Sequence, residues 1–186
     1  MNILAKQKAS FPFEWVNLKN YPLNKGNCIT FKIKSEINII DEMIRMFHYI
    51  FNGIKEELNV YNEYWGDFCL DVWNIQSDVY DYNKNSLSKE TQAYLNMLEK
   101  SGIEKDYTGS CKCNNWDHFL PIILKCVVNY IALYSPLLYS VTDNFFFYFH
   151  YFGEIGLYYK ECNKTIEEII NKWNNYLLSD DQYIYN

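Results

Sequence analysis

The eight residues Phe145-Phe146-Phe147-Tyr148-Phe149-His150-Tyr151-Phe152 constrain the fold more than any other stretch. Successive side chains of a strand point to opposite faces, so this run places aromatic rings on both. It reads as a strand covered on both sides, which requires a layer of structure above it and another below. Gly153-Glu154-Ile155-Gly156 can turn it back into Leu157-Tyr158-Tyr159-Lys160 as an antiparallel hairpin. With 18 Tyr, 12 Phe and 5 Trp among 186 residues, and only 7 Gly and 4 Pro, the chain can fill one core without disulfide or metal. Residues 1–186 therefore read as a single globular domain.

Apolar spacing predicts the remaining elements. Cys28 to Lys34 alternates, with Ile29, Phe31 and Ile33 on one side, as a half-buried strand does. Ser35 stands where a helix cap belongs, and Ile37, Ile40, Ile44, Phe47, Phe51, Ile54 and Leu58 follow at helical spacing. A second helix is expected from Asn62 to about Tyr82, on the stripe Phe68, Val72, Ile75, Val79 and Tyr82. Ser88 caps a third, which ends near Lys100 before the stop residue Gly102. Residues 103–116 read as loop. A fourth helix runs from Asp117 to Tyr134, with Pro121 tolerated in its first turn. Thr165 and Glu168 form a capping box for the last helix, which carries Ile166, Ile169, Ile170, Trp173 and Leu177. The expected fold class is α+β, mostly helical, with a small antiparallel sheet that includes the C-terminal aromatic hairpin.

Charge is distributed unevenly. The chain has 17 Lys+Arg against 23 Asp+Glu, a net charge of -6, and Arg45 is its single arginine. No basic residue falls between Lys55 and Lys84, whereas Glu63, Asp67, Asp71, Asp78 and Asp81 recur there. On a helix these form a carboxylate stripe whose members repel one another by a few tenths of a kcal/mol per pair, about 0.2–0.5. The plain reading of that stripe is a solvated helix face. The functional reading is a landing surface for a basic protein, with Tyr64, Trp73 and Tyr80 as aromatic anchors.

Other functions are disfavoured by the same composition. Nucleic acid needs clustered Lys and Arg, which an acidic chain with one Arg lacks. Residues 119–141 are apolar enough to resemble a membrane span, but Lys125, Asn129, Ser135 and Pro136 interrupt them, so a buried helix is expected instead. The first residues carry no apolar leader core, which points to a cytoplasmic protein with reduced cysteines. Cys111-x-Cys113 with His118 is the one arrangement with a metal-like look, and it lacks the second ligand pair of structural zinc. Two ordinary loop thiols are expected, and no cofactor. His48 and His150 read as partly buried, hydrogen-bonded imidazoles. No phosphate-binding loop, dinucleotide fingerprint or nucleophile elbow is present. Glu154 between two glycines is the residue around which an enzyme site could be imagined, with His150 beside it.

The run from Phe145 to Lys160, followed by Thr165-Ile166-Glu167-Glu168 and by Trp173 to Leu178, resembles the hairpin-plus-helix ending of immunity proteins from bacterial polymorphic-toxin systems, including contact-dependent growth inhibition. That resemblance implies a small cytoplasmic protein without catalytic activity, which binds one cognate toxin domain and blocks its active site or substrate surface. On this reading the partner is a basic toxin domain, for instance a nuclease. Glu63, Asp67, Asp71, Asp78 and Asp81 then supply the electrostatic part of the contact, and Tyr64, Trp73 and Tyr80 its anchors. The alternative is a small soluble enzyme with a site near His150 and Glu154.

Overall fold

A computed structural model describes residues 2–7, 9–18, 26–33, 37–83 and 85–179. Among these described residues nine strands and four α-helices follow one another as β1 (Leu4–Lys6), β2 (Asn27–Lys32), α1 (Ile39–Ile50), β3 (Asn59–Asn62), β4 (Trp73–Asn74), β5 (Val79–Tyr80), α2 (Lys89–Lys100), β6 (Gly109–Cys113), α3 (Trp116–Val128), β7 (Leu137–Ser140), β8 (Phe145–His150), β9 (Glu154–Tyr159) and α4 (Lys164–Ser179). Seven strands form one sheet in the order β1-β6-β3-β7-β8-β9-β2, and every neighbouring pair is antiparallel. β4 and β5 form a separate two-stranded hairpin.

The expectation of a mostly helical chain with a small sheet is thereby corrected: 37% is helical, 24% is strand, and the sheet is the organising element. The difference arises in three places. Residues 103–116, expected as loop, contain β6, which lies between β1 and β3. The first helix ends at Ile50, and Gly53, with φ +88°, turns the chain toward β3. The fourth ends at Val128, where Tyr130 enters the left-handed region at φ 60° and releases the chain toward β7. Apolar spacing at three and four continues past both stops, because a side chain can reach the core from a turn or a strand as well as from a helix.

β8 is covered on both faces. Phe145, Phe147 and Phe149 meet the helical layer, where Phe147 stacks on Phe51 at 4.1 Å and lies 6.2 Å from Phe47. On the opposite face Phe146 is covered by the strap of residues 11–18, with Phe11 at 5.7 Å and Trp15 at 5.8 Å. Trp15 Nε1 donates to Asn144 Oδ1 at 2.8 Å and pins the strap to the β7–β8 turn. The hairpin between β8 and β9 forms as expected, with Gly153 at φ +76° in its turn. Glu154 is the first residue of β9 rather than a turn residue, and it pairs with Lys32 of β2 at 2.7 Å.

The helices pack on one another as well as on the sheet. α1 buries Met43, Met46, Phe47 and Ile50, a stripe rotated from the expected one, and Ile37 is exposed. Ser35 lies outside the described residues, and Asn38, in the left-handed region, precedes the helix without a side-chain cap. Glu42 is buried between α1 and α4, where it accepts a hydrogen bond from Tyr176 at 2.5 Å and pairs with Arg45. Trp173 of α4 stacks on Phe31 at 5.1 Å. The cap of α4 is Asn163, whose Oδ1 accepts from Ile166 N at 2.9 Å. Thr165 instead donates to Asp143 at 2.6 Å, so the expected capping box does not form. Pro121 sits in the second turn of α3 rather than the first, so its missing N–H removes one helical hydrogen bond. α2 is as expected, with Ser88 accepting from Thr91 N at 3.1 Å and Gly102 beyond its end at φ +65°.

Candidate functional site

The segment between β3 and α2, expected as a helix over 62–82, is not one. Three of its backbone donors are used by distant turns and loops: Trp65 N bonds Tyr107 O, Gly66 N bonds Lys105 O, and Leu70 N bonds Ile131 O at 2.7 Å. Gly66 passes so close to Lys105 that a Cβ there would sit 2.5 Å from its carbonyl oxygen, which no larger residue could tolerate. Trp65 is fully buried and donates its indole N–H to Gly109 O at 2.8 Å. These anchors set two short 3-10 turns, at Trp65–Asp67 and Leu70–Val72.

Beyond Val72 the chain projects as the β4–β5 hairpin. Asn74 Oδ1 accepts from Gln76 N at 3.0 Å and Ser77 N at 3.2 Å, and Asp78 adopts φ 57°, which together close the turn. All eight residues from Trp73 to Tyr80 are exposed, and Trp73, Ile75, Val79 and Tyr80 are large and apolar. Ile75 at the tip is 85% exposed. Trp73 and Tyr80 face each other across the hairpin with ring centroids at 4.9 Å, and Tyr80 stacks on Tyr82 at 6.0 Å. An exposed apolar projection of this kind is a candidate interaction surface.

The eight residues singled out from the sequence therefore separate. Glu63, Tyr64 and Asp67 lie exposed at the base of the projection, and Trp73, Asp78 and Tyr80 lie on it. Asp71 points the other way: its carboxylate accepts from Ser88 N at 2.9 Å and from Thr91 Oγ1 at 2.5 Å, and so anchors the start of α2. Asp81 is occupied in the following turn, accepting from Asn83 N at 2.8 Å and Ser86 Oγ at 3.3 Å. Asp71→Ala should lower the unfolding free energy by about 1.5–3 kcal/mol, the worth of hydrogen bonds to a charged acceptor. Urea denaturation measures this.

Burial holds the phenol of Tyr80 above its ordinary pKa, and a hydrogen bond to Asp67 adds to the effect. Tyr61 and Tyr82 are raised in the same way, burial first and then the neighbouring carboxylates Glu63 and Asp67 respectively. These phenols stay protonated at neutral pH and offer donors beside the acidic groups. Leu70, Leu133 and Tyr134 complete the surface. Sequence spacing had placed Ile75 and Val79 inward; the polar run Asn74-Ile75-Gln76-Ser77-Asp78 was the signal for the turn that puts them outside.

The other candidates fare differently. Cys111 and Cys113 are strand residues of β6 rather than loop thiols, and burial pushes each pKa up to about 12, so neither is a thiolate at neutral pH. His118 lies in the first turn of α3, its backbone N–H and ring both against Asn115 Oδ1. Among the described residues no group of three His, Cys, Asp or Glu side chains could hold a metal ion. His48 sits 3.1 Å from both Lys55 and Asp117, and burial, more than Lys55, lowers its pKa. His150 packs against the Tyr151 ring at 4.1 Å, and its Nδ1 is buried without a hydrogen-bond partner among the described residues. No described helix is long and apolar enough to cross a membrane, and residues 119–141 divide between α3 and β7. No family model, curated protein or solved structure matches the chain.

Proposed function

We propose that the protein is a cytoplasmic immunity protein that neutralises a cognate toxin by pressing the face formed by residues 63–80 onto a basic surface of the toxin domain. One observation carries this reading: an exposed hairpin bearing Trp73, Ile75, Val79 and Tyr80 rises from a stretch of chain that contains acidic residues and no Lys or Arg. Exposed rings supply the contact area that stabilises a complex, and the surrounding carboxylates steer a basic partner and reject acidic ones. Neutralisation by steric cover requires no chemistry from this chain. It needs a surface that excludes water when docked, and the hairpin supports that role.

The test is co-expression with the product of the gene immediately upstream. The toxin alone should arrest growth of a bacterial host, and this protein should restore growth and co-purify with it in a stoichiometric complex that weakens as salt rises. No complex at low or moderate salt, with no change in growth, would overturn the proposal.

A further inference from the structure

We propose that Cys69 and Cys126 are a paired thiol site that a small-molecule disulfide oxidises reversibly to a Cys69–Cys126 bond, fastening the chain that carries the β4–β5 hairpin to α3. The proposal does not depend on what that hairpin binds. The two sulfurs lie 3.9 Å apart, on residues 57 positions apart in the chain, and both residues are at most 1% exposed. Cys69 stands between the 3-10 turns at Trp65–Asp67 and Leu70–Val72, from which the hairpin rises, and Cys126 lies in the last turn of α3. Backbone bonds hold the two segments together: Leu70 N donates to Ile131 O at 2.7 Å, and Ile131 N and Ala132 N both donate to Cys126 O, at 2.8 and 3.0 Å. The residue after Cys69 is thus tied, through Ile131, to the carbonyl of Cys126 itself. A disulfide needs its sulfurs about 2.05 Å apart, roughly 2 Å closer than they stand, and this bonded frame limits the approach to side-chain rotation and a small backbone shift.

Among the described residues no third His, Cys, Asp or Glu joins the pair to make a metal site. The hydrogen bond from Cys69, and then burial, hold the Cys126 thiol well above its ordinary pKa. Reaction therefore waits on a local opening. Cys69 is the sulfur that opening releases first, because the chain around it consists of short turns and an exposed hairpin, whereas Cys126 is inside a helix. Cys69 loses its proton and its sulfur attacks the oxidant, forming a mixed disulfide and expelling one thiolate; the Cys126 sulfur, deprotonated in turn, attacks Cys69 and expels the second. One S–S bond breaks and one forms. The two expelled thiolates take up the two protons, and two electrons pass to the oxidant, which is reduced. Where glutathione keeps thiols reduced the pair rests as a dithiol. Where the disulfide oxidant accumulates, the bond closes a long loop and removes freedom from the unfolded chain.

The test uses the full chain with the exposed cysteines removed as Cys28→Ser and Cys162→Ser, so that they consume no reagent. The folded protein is incubated with oxidised glutathione, quenched with acid, alkylated with N-ethylmaleimide in denaturant and mapped as unreduced peptides. A Cys69–Cys126 link is expected, with an intact mass lower by two hydrogens before alkylation and with Cys111 and Cys113 alkylated. The melting temperature should rise by about 4–16 °C and fall back when dithiothreitol is added. Cys69→Ala, with a circular dichroism spectrum matching the parent, should show neither the link nor the rise; the mapping itself needs no core variant. Glutathione left on one sulfur without closure, a link to Cys111 or Cys113, a link that forms only in urea, or a linked form that melts no higher would overturn the proposal. So would Cys69 and Cys126 both still free after prolonged exposure to the oxidant.

Discussion

Phe147→Ala should remove about 3–5 kcal/mol of stability, the usual range for deleting a buried phenyl ring. Phe147 is fully buried and stacks on Phe51 at 4.1 Å, with Phe47, Phe145 and Phe149 all within 6.3 Å. Its cross-strand neighbours, Leu138 and Leu157, are buried as well, so little can collapse into the space left behind. A domain of this kind has on the order of 5–15 kcal/mol in total. The alanine variant therefore sits near the limit of folding. Phe147→Leu keeps most of the volume and should be the milder of the two, so the pair gives a measurable series in urea. A loss below about 1 kcal/mol for Phe147→Ala would mean that this face of β8 is not a closed core.

The second large effect concerns binding. Under the proposed immunity function, Trp73→Ala combined with Tyr80→Ala should weaken the toxin complex by about a thousandfold, since two central aromatic anchors at about 2 kcal/mol each amount to roughly 4 kcal/mol. Both must change together, because each ring rests on the other. Stability should fall little, since the hairpin is exposed throughout. Calorimetric titration against the purified partner measures the loss, and thermal unfolding of the free variant checks its fold. Asp78→Lys should act differently, slowing association and flattening its salt dependence more than it speeds dissociation. Unchanged affinity in the double variant would place the interface elsewhere on the molecule.

Sequence reasoning worked where a local rule and a tertiary contact agree. Ser88 and Gly102 bracket α2 because cap and stop are backbone requirements that neighbours did not alter. β8 and β9 were legible because rings on both faces leave a strand few alternatives. The segment 62–82 misled because its apolar residues fall at helical spacing by coincidence: Val72 is buried, while Ile75 and Val79 stand in solvent on a hairpin. What decides the matter is Gly66 under the Lys105 carbonyl and Trp65 bonded to Gly109, contacts some forty residues away in the chain that no periodicity encodes. β6 was missed for the opposite reason. Gly109-Ser110-Cys111-Lys112-Cys113 has no β-branched or aromatic residue, and its place is held by small side chains that fit beneath two layers. Of the candidate site, acidity and exposed rings were readable from composition. That Asp71 serves α2 instead was not, since Ser88 and Thr91 reach it only after the chain folds back.

The order of strands has a consequence for how the molecule is made. Both edges of the main sheet, β1 and β2, come from the first 32 residues, yet β1 waits for β6 at residues 109–113 and β2 for β9 at residues 154–159. During synthesis β1 and β2 leave the ribosome long before either partner exists, with Phe11, Phe13 and Trp15 still uncovered. Such distant pairings are slow to form and leave apolar chain open to association in the meantime. The chain must emerge through Tyr159 before the sheet can close, so the β8–β9 hairpin sets the moment at which both edges find their partners.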